Sequence, residues 1–226
     1  MTLLDWARGP LLTVSLTIFV VGVAWRLFSL WRMPESNAPS APAKQAFGKA
    51  DAFRAAMTRM VPSGGFHPSA TLVNINPYVF HIGLAMVFLG YAPHIAFIQR
   101  ITWLRWPALP DAVMYVAAAA TMVSLLIAML FRLTDPVLKR ISRPDDMITW
   151  TVTFLPFITG MGLVNEPSAA VLARDHVIYE APLTIHLLSL ELLLVWFPFG
   201  KLMHAFLVLP GRMQLATFFG SRGVRS

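Results

Sequence analysis

Five stretches of about 20 mostly apolar residues dominate the sequence, and they leave one class of fold open. They run from about Pro10 to Trp31, Pro77 to Ile98, Asp111 to Leu133, Met147 to Val164 and Ala181 to Leu209. A helix rises about 1.5 Å per residue, so about 20 residues cross the hydrocarbon core of a bilayer. A backbone that has left water must bond to itself, and a helix does so within one segment. The expected fold is therefore all-α: an integral membrane bundle of five transmembrane helices, folded as a single domain over residues 1–226. Composition agrees, with 57% hydrophobic and 13% charged residues, against about 45–50% and 25% in soluble domains. The first run lacks a basic n-region and a small-residue cleavage site, so it is expected to be retained. The fifth is long enough to pass beyond the bilayer at one end.

Charge placement sets the expected orientation. Of the 18 lysines and arginines, 14 fall on the side that holds the segment after the first run, the loop around Lys139–Arg143, and the C-terminus. Arg8, Arg100, Arg105 and Arg174 fall on the other. By the positive-inside rule the N-terminus lies outside and the C-terminus in the cytoplasm. The chain is thus expected to cross its membrane several times. Residues 33–76 form a polar cytoplasmic linker that opens on the irregular, proline-rich MPESNAPSAPAK. Within it, from Lys44 to Val61, Phe47, Ala50, Phe53, Met57 and Met60 recur at steps of three and four. That pattern is a basic amphipathic helix, lying on the membrane, on a partner, or on this chain's own loops. The net charge of +7 flanks membrane spans, and no nucleic-acid partner is expected.

The chain has no cysteine. Disulfides, thiolate zinc sites, cysteine-ligated iron–sulfur clusters and covalent c-type haem are excluded. A redox cofactor would need histidine, methionine or carboxylate ligands. Of six histidines, His81, His94, His186 and His204 lie in the second and fifth apolar runs. A polar ring in a bilayer is costly without a partner, so each is a candidate for function. His67, in GGFHP, reads as a solvated loop histidine. His176, just before the fifth run, reads as a surface histidine that could instead replace His94 or His186 as a ligand or relay protons.

His186 and His204 are 18 residues apart, five full turns of a regular helix, so both rings leave one face about 27 Å apart along the axis. His81 and His94 are 13 residues and about 20 Å apart. The two helices run in opposite directions, so His81 should face His204 near the cytoplasm and His94 should face His186 near the outside. Facing histidines suit axial ligation of haem iron in a bundle core; they equally suit interfacial or structural roles. Thirteen residues also leave His81 and His94 about 140° apart on a regular helix. Pro93, just before His94, could kink the helix there. Glu191, also about 140° from the His186 face, is either a proton-handling carboxylate or a hydrogen-bond partner for a neighbouring helix.

VFHIGLAMVFLGYAPH in the second run and LTIHLLSLELLLVWFPFGKLMH in the fifth resemble the gamma subunit of respiratory nitrate reductase. The loop FRLTDPVLKRISRPDD leading into FITGMGL more strongly resembles a sister branch, the haem b membrane subunit of sulfite-reduction-associated and heterodisulfide-reductase-like complexes. The resemblance covers roughly residues 78–210. It implies five helices and haem b held by histidine: two haems, or one if the outer site is incomplete. By this resemblance the axial ligands are His81 and His204 for the inner haem, and His94 and His186 for the outer. Tyr91 stands where the nitrate reductase pattern has its second helix-two histidine, and His94 lies one turn later. The resemblance further implies an electron-transfer subunit of a quinone/quinol oxidoreductase in a bacterial or archaeal cytoplasmic (inner) membrane. Electrons would pass between a quinone near Tyr91, Arg100, Arg105 and Asp111 and a cytoplasmic iron–sulfur or heterodisulfide-reductase-like subunit.

Two other classes compete. A cofactor-free or mono-haem membrane anchor explains the helices but not the order of the histidines. A small transporter would want internal repeats and several intramembrane charges, and the runs hold one buried glutamate and no repeat. A metal-dependent membrane hydrolase would want HExxH or paired carboxylates, which are missing.

Overall fold

The computed structural model describes residues 2–32, 46–60, 71–163 and 176–223, with backbone alone at residues 71 and 176–179. His67 and the MPESNAPSAPAK stretch lie outside the described residues, as does the His176 side chain. The described residues form helices and short connections, with no strand among them. Helix α1 is Leu3–Trp31, with a π-helical turn at Ala7–Leu11 around Pro10. Then follow α2 (Lys49–Thr58), α3 (Thr71–Gly90), α4 (Ala92–Thr102), α5 (Asp111–Thr134), α6 (Pro136–Ile141), α7 (Pro144–Met161), α8 (His176–Trp196) and α9 (His204–Gly220). Leu3–Trp31, Leu72–Gly90 and Asp111–Thr134 are each long and apolar enough to cross a membrane. The bent pair Glu180–Trp196 and Lys201–Gly220 makes a fourth if taken as one span. Helix α7, 18 residues opening on Pro144-Asp145-Asp146, is not among them.

Small residues let the helices approach, as packing in lipid requires. Helices α3 and α5 pack closely. A Cβ on Gly83 would lie 2.0 Å from Thr121 Oγ1, and Ala117, Ala118 and Thr121 are buried at the contact. A reciprocal bond pair closes the seam: Asn76 Nδ2 donates to the Ser124 carbonyl at 3.0 Å, and Ser124 Oγ donates to the Asn76 carbonyl at 2.9 Å. Helix α8 packs on α7 and α1, and α5 on α7. Trp150 Nε1 donates to the Leu125 carbonyl at 2.8 Å across the α5–α7 contact.

Two of the expected continuous helices are broken. The second run parts at Tyr91, whose backbone is extended, and α4 restarts with Pro93 in its first turn. Proline has no N–H, so the Leu89 carbonyl loses its helical donor. The Trp106 indole replaces it at 2.5 Å, while Leu109 N–H takes the Gly90 carbonyl at 2.9 Å. The fifth run parts after Trp196, and the next segment turns by 76°. The straight five-turn relation between His186 and His204 therefore does not hold. Pro198 and Gly200 cause the corner: one lacks a donor, and the other passes so close to Trp196 that a Cβ would lie 2.3 Å from its Nε1. Pro198 is seated against Gly22 of α1, where a Cβ would lie 2.7 Å from the proline ring.

The amphipathic segment packs on this chain. Helix α2 lies against α9 through Ala52, Ala56 and Ala216, all almost fully buried. Arg212 donates to the Arg59 carbonyl at 2.5 Å, and Tyr78 donates to the Met60 carbonyl at 2.6 Å. Lys49 and Arg54 remain exposed.

Candidate functional site

Both helix breaks deliver a histidine. His94 follows the Tyr91 break, and its Nδ1 lies 2.9 Å from the Val87 carbonyl. His204 follows the α8 corner, and its Nδ1 lies 2.8 Å from the Lys201 carbonyl. On α3, His81 Nδ1 lies 2.6 Å from the Pro77 carbonyl. On α8, His186 Nδ1 lies 3.1 Å from Thr159 Oγ1. A carbonyl can only accept, so Nδ1 is the protonated nitrogen in His81, His94 and His204. Thr159 gives its own proton to the Leu155 carbonyl at 2.7 Å, which leaves its oxygen to accept from His186. In each neutral ring the Nε2 lone pair is left over. This is how a second shell fixes a metal-ligating histidine.

The four rings form two pairs. His81 and His204 have ring centres 6.0 Å apart with planes at 89°. His94 and His186 have centres 6.3 Å apart with planes at 14°. Helices α3 and α8 are not among the closely packed pairs. His81 and His204 are exposed, while His94 and His186 are half-buried. Gly160 of α7 makes room for His186: a Cβ there would lie 3.1 Å from its Cε1.

These separations allow a test of fit. An imidazole ring centre is about 1.1 Å from Nε2, and imidazole–metal bonds are about 2.0–2.1 Å, so two rings on opposite sides of one ion have centres about 6.3 Å apart. Both pairs match that span. Among the described residues no group of three or more His, Cys, Asp or Glu side chains could hold a metal ion. A pair of histidines suits an iron whose other four ligands come from a macrocycle. Each pair has the ring separation that such a group would need.

Of the residues assigned to a quinone, Tyr91 packs against His94, with ring centres 5.3 Å apart. Arg100, Arg105 and Asp111 are exposed, and Asp111 sits in the first turn of α5, where a carboxylate complements the helix dipole. A cleft of about 560 Å³ lies beside α4, lined by Ile95, Gln99, Arg105 and Trp106 among others. Arg105 lines it, whereas Tyr91, Arg100 and Asp111 do not. Gln99 and Trp106 also line it and were not singled out from sequence, because neither carries a charge or falls in a histidine motif. A second cleft, about 390 Å³, adjoins His204 and is flanked by Arg26, Lys201 and Asp145. Nothing in the sequence signals that Arg26 approaches His204, since the two lie on separate apolar runs.

Among the described residues, Glu191 and Asp146 are buried carboxylates. Glu191 is 5% exposed, and its Oε1 has no hydrogen-bond partner among the described residues. Asp146, just outside the fourth apolar run, pairs with Lys201 and with Arg132 at 3.1 Å. Burial alone would raise its pKa. The Lys201 bond, the Arg143 N–H and the nearby Arg132 charge outweigh that and hold it below the ordinary 3.8.

No protein-family model matches the chain. It is similar to a protein of Nitratidesulfovibrio vulgaris whose recorded name says only "Protein". The two are 28% identical over 214 residues, covering 92% of this chain and 89% of the other. The likeness thus runs nearly end to end, and it carries no functional name with it.

Proposed function

We propose that the chain is a dihaem cytochrome b membrane subunit that passes electrons between the quinone pool and a cytoplasmic partner. The observation that carries this reading is the pair of histidine–histidine contacts at 6.0 and 6.3 Å. In each pair the two rings come from separate helices, and every Nδ1 is already engaged. In this reading five helices cross the membrane, α7 among them, with the N-terminus outside and the C-terminus in the cytoplasm.

His81 and His204 would hold the inner haem, with Arg26 available to its carboxylates. His94 and His186 would hold the outer one. When bound, haem would supply reversible one-electron chemistry at iron. The protein's part is to fix both imidazoles through their Nδ1 partners and to keep the α3–α8 gap open by packing α3 on α5 and α8 on α7. The α4 cleft gives a quinone an apolar wall at Ile95 and hydrogen-bond donors at Gln99 and Arg105. Exposed Lys139, Arg140 and Arg143, together with Lys49 and Arg54, offer a basic face to an iron–sulfur or heterodisulfide-reductase-like subunit.

Broken helices also occur in secondary transporters, where they expose backbone to a substrate. Here the freed Leu89 and Gly90 carbonyls are taken up by Trp106 and Leu109 within the chain. Haem content separates the two readings. The purified protein should show a b-type alpha band in a reduced-minus-oxidised spectrum, with about two haems per chain. A colourless protein would end the proposal.

A further inference from the structure

His204 stands at a corner that has little scaffold of its own. The chain turns by 76° there, Pro198 and Gly200 interrupt the helix, and α9 beyond the corner is largely exposed where it does not meet α2. Helix α7 holds the corner from both sides. Trp196, at the end of α8, donates its indole N–H to Thr149 Oγ1 at 3.1 Å. Lys201, just past the break, is paired with Asp146. Asp146 and Thr149 are three residues apart on α7 and so share a face.

Asp146 is itself fixed from two more directions. Arg132, from the end of α5, reaches it at 3.1 Å, and the Arg143 N–H reaches it at 2.9 Å. The clasp then ends on the histidine, because the Lys201 carbonyl accepts the Nδ1–H of His204 at 2.8 Å. One bonded path therefore runs from α5 through Asp146 and Lys201 to the His204 ring.

We infer that Asp146 is a positioning residue for the inner haem, fixing the corner that sets His204 against His81. The inference rests on the dihaem reading. An ion pair that served overall stability alone would affect both haem sites alike. This path reaches only one of them, since His186 is held by Thr159, about four turns along α7 from Asp146. Loss of a partner that orients a metal-bound histidine costs about 10–100-fold in retention of the metal group.

The test uses the full chain in detergent or nanodiscs, with haem content, a redox titration and low-temperature EPR. His204→Ala and His186→Ala assign the inner and outer signals. Asp146→Ala and Lys201→Met are expected to shift the midpoint and the EPR signal of the inner haem and to speed its loss about 10–100-fold. The outer signal should stay in place, and Lys201→Arg should restore the inner one. If Asp146→Ala does not accumulate, Lys201→Met and Asp146→Asn carry the test. Inner and outer signals both unchanged, or both moved together, would overturn the inference while leaving the haems themselves established. Absence of haem from the unsubstituted protein would remove the dihaem reading, and this inference with it.

Discussion

The imidazole planes of His81 and His204 stand at 89° to each other, whereas the outer pair differs by 14°. Each ring is held at that angle by its own Nδ1 partner. Axial imidazoles perturb one of two iron d orbitals according to their plane. Parallel planes act on the same orbital and split the two, while crossed planes leave them nearly equal. The oxidised protein should therefore give two distinct low-spin ferric EPR signals, the inner with the larger g anisotropy. His204→Ala should remove the more anisotropic one. Two identical rhombic signals would mean that the rings turn once iron is bound.

Haem stoichiometry tests the pairing itself. His81→Ala should lower content from about two haems per chain to about one, and His94→Ala should do the same. The double variant should bind none. Full content in His94→Ala would assign the outer ligand elsewhere, with Tyr91 the first residue to examine, given its 5.3 Å contact with that ring.

Much of this arrangement was legible in the sequence, and the remainder has identifiable causes. The apolar runs marked α1, α3 and α5, because span length and low charge are properties of contiguous residues. The antiparallel order of four histidines predicted which rings face each other. Their geometry was not legible, because it assumed regular helices. Turn counting put His81 and His94 on divergent faces, and the break at Tyr91 cancels that count. It also put His186 and His204 on one straight face, and the corner at Pro198 cancels that too. WFPFGK carried the signal for the corner, in a proline and a glycine two residues apart, but periodicity over the whole run outweighed it. The Asp146 clasp and the α2–α9 contact join residues far apart in the chain, and no local pattern announces such pairs.

Acid should release the Asp146 clasp. Its folded pKa lies below the ordinary 3.8, so the carboxylate binds fewer protons folded than unfolded over that range. Its contribution to stability is present above about pH 4 and is lost as pH falls through the folded value. Asp146→Ala should cost about 1–3 kcal/mol near neutrality, less than a fully buried pair because Lys201 is half-exposed. Thermal melts of the two proteins should converge as pH drops below about 4. A constant gap down to pH 3 would mean that the charge of Asp146 contributes nothing.

Close packing of α3 on α5 fixes the height of His81, two residues from Gly83. A Cβ at Gly83 would lie 2.0 Å from Thr121 Oγ1 and 3.1 Å from the Ala117 carbonyl. Gly83→Ala should destabilise the protein by about 1–3 kcal/mol through overpacking. Thr121→Ala should recover part of that loss in the double variant, since it removes the nearer clash. Melts or denaturant titrations of the four proteins would check the cycle. Additive costs would show that the helices part freely at this point.

Gly160 offers a subtler change at the outer site. A Cβ there would press on the His186 ring, 3.1 Å from Cε1 and 3.5 Å from Nδ1. That separation is tight but not impossible, and the ring is the part able to move, because α7 and α8 are packed along their length. Any movement stretches the 3.1 Å bond from Nδ1 to Thr159 and shifts the ring relative to His94, whose centre lies 6.3 Å away. Gly160→Ala should thus leave the fold and the inner signal intact while shifting the outer midpoint. Gly160→Val, with two more carbons in the same space, should lose the outer haem altogether. Separate redox titration of the two haems decides the matter: a Val variant with both midpoints unaltered would place His186 outside the ligand set.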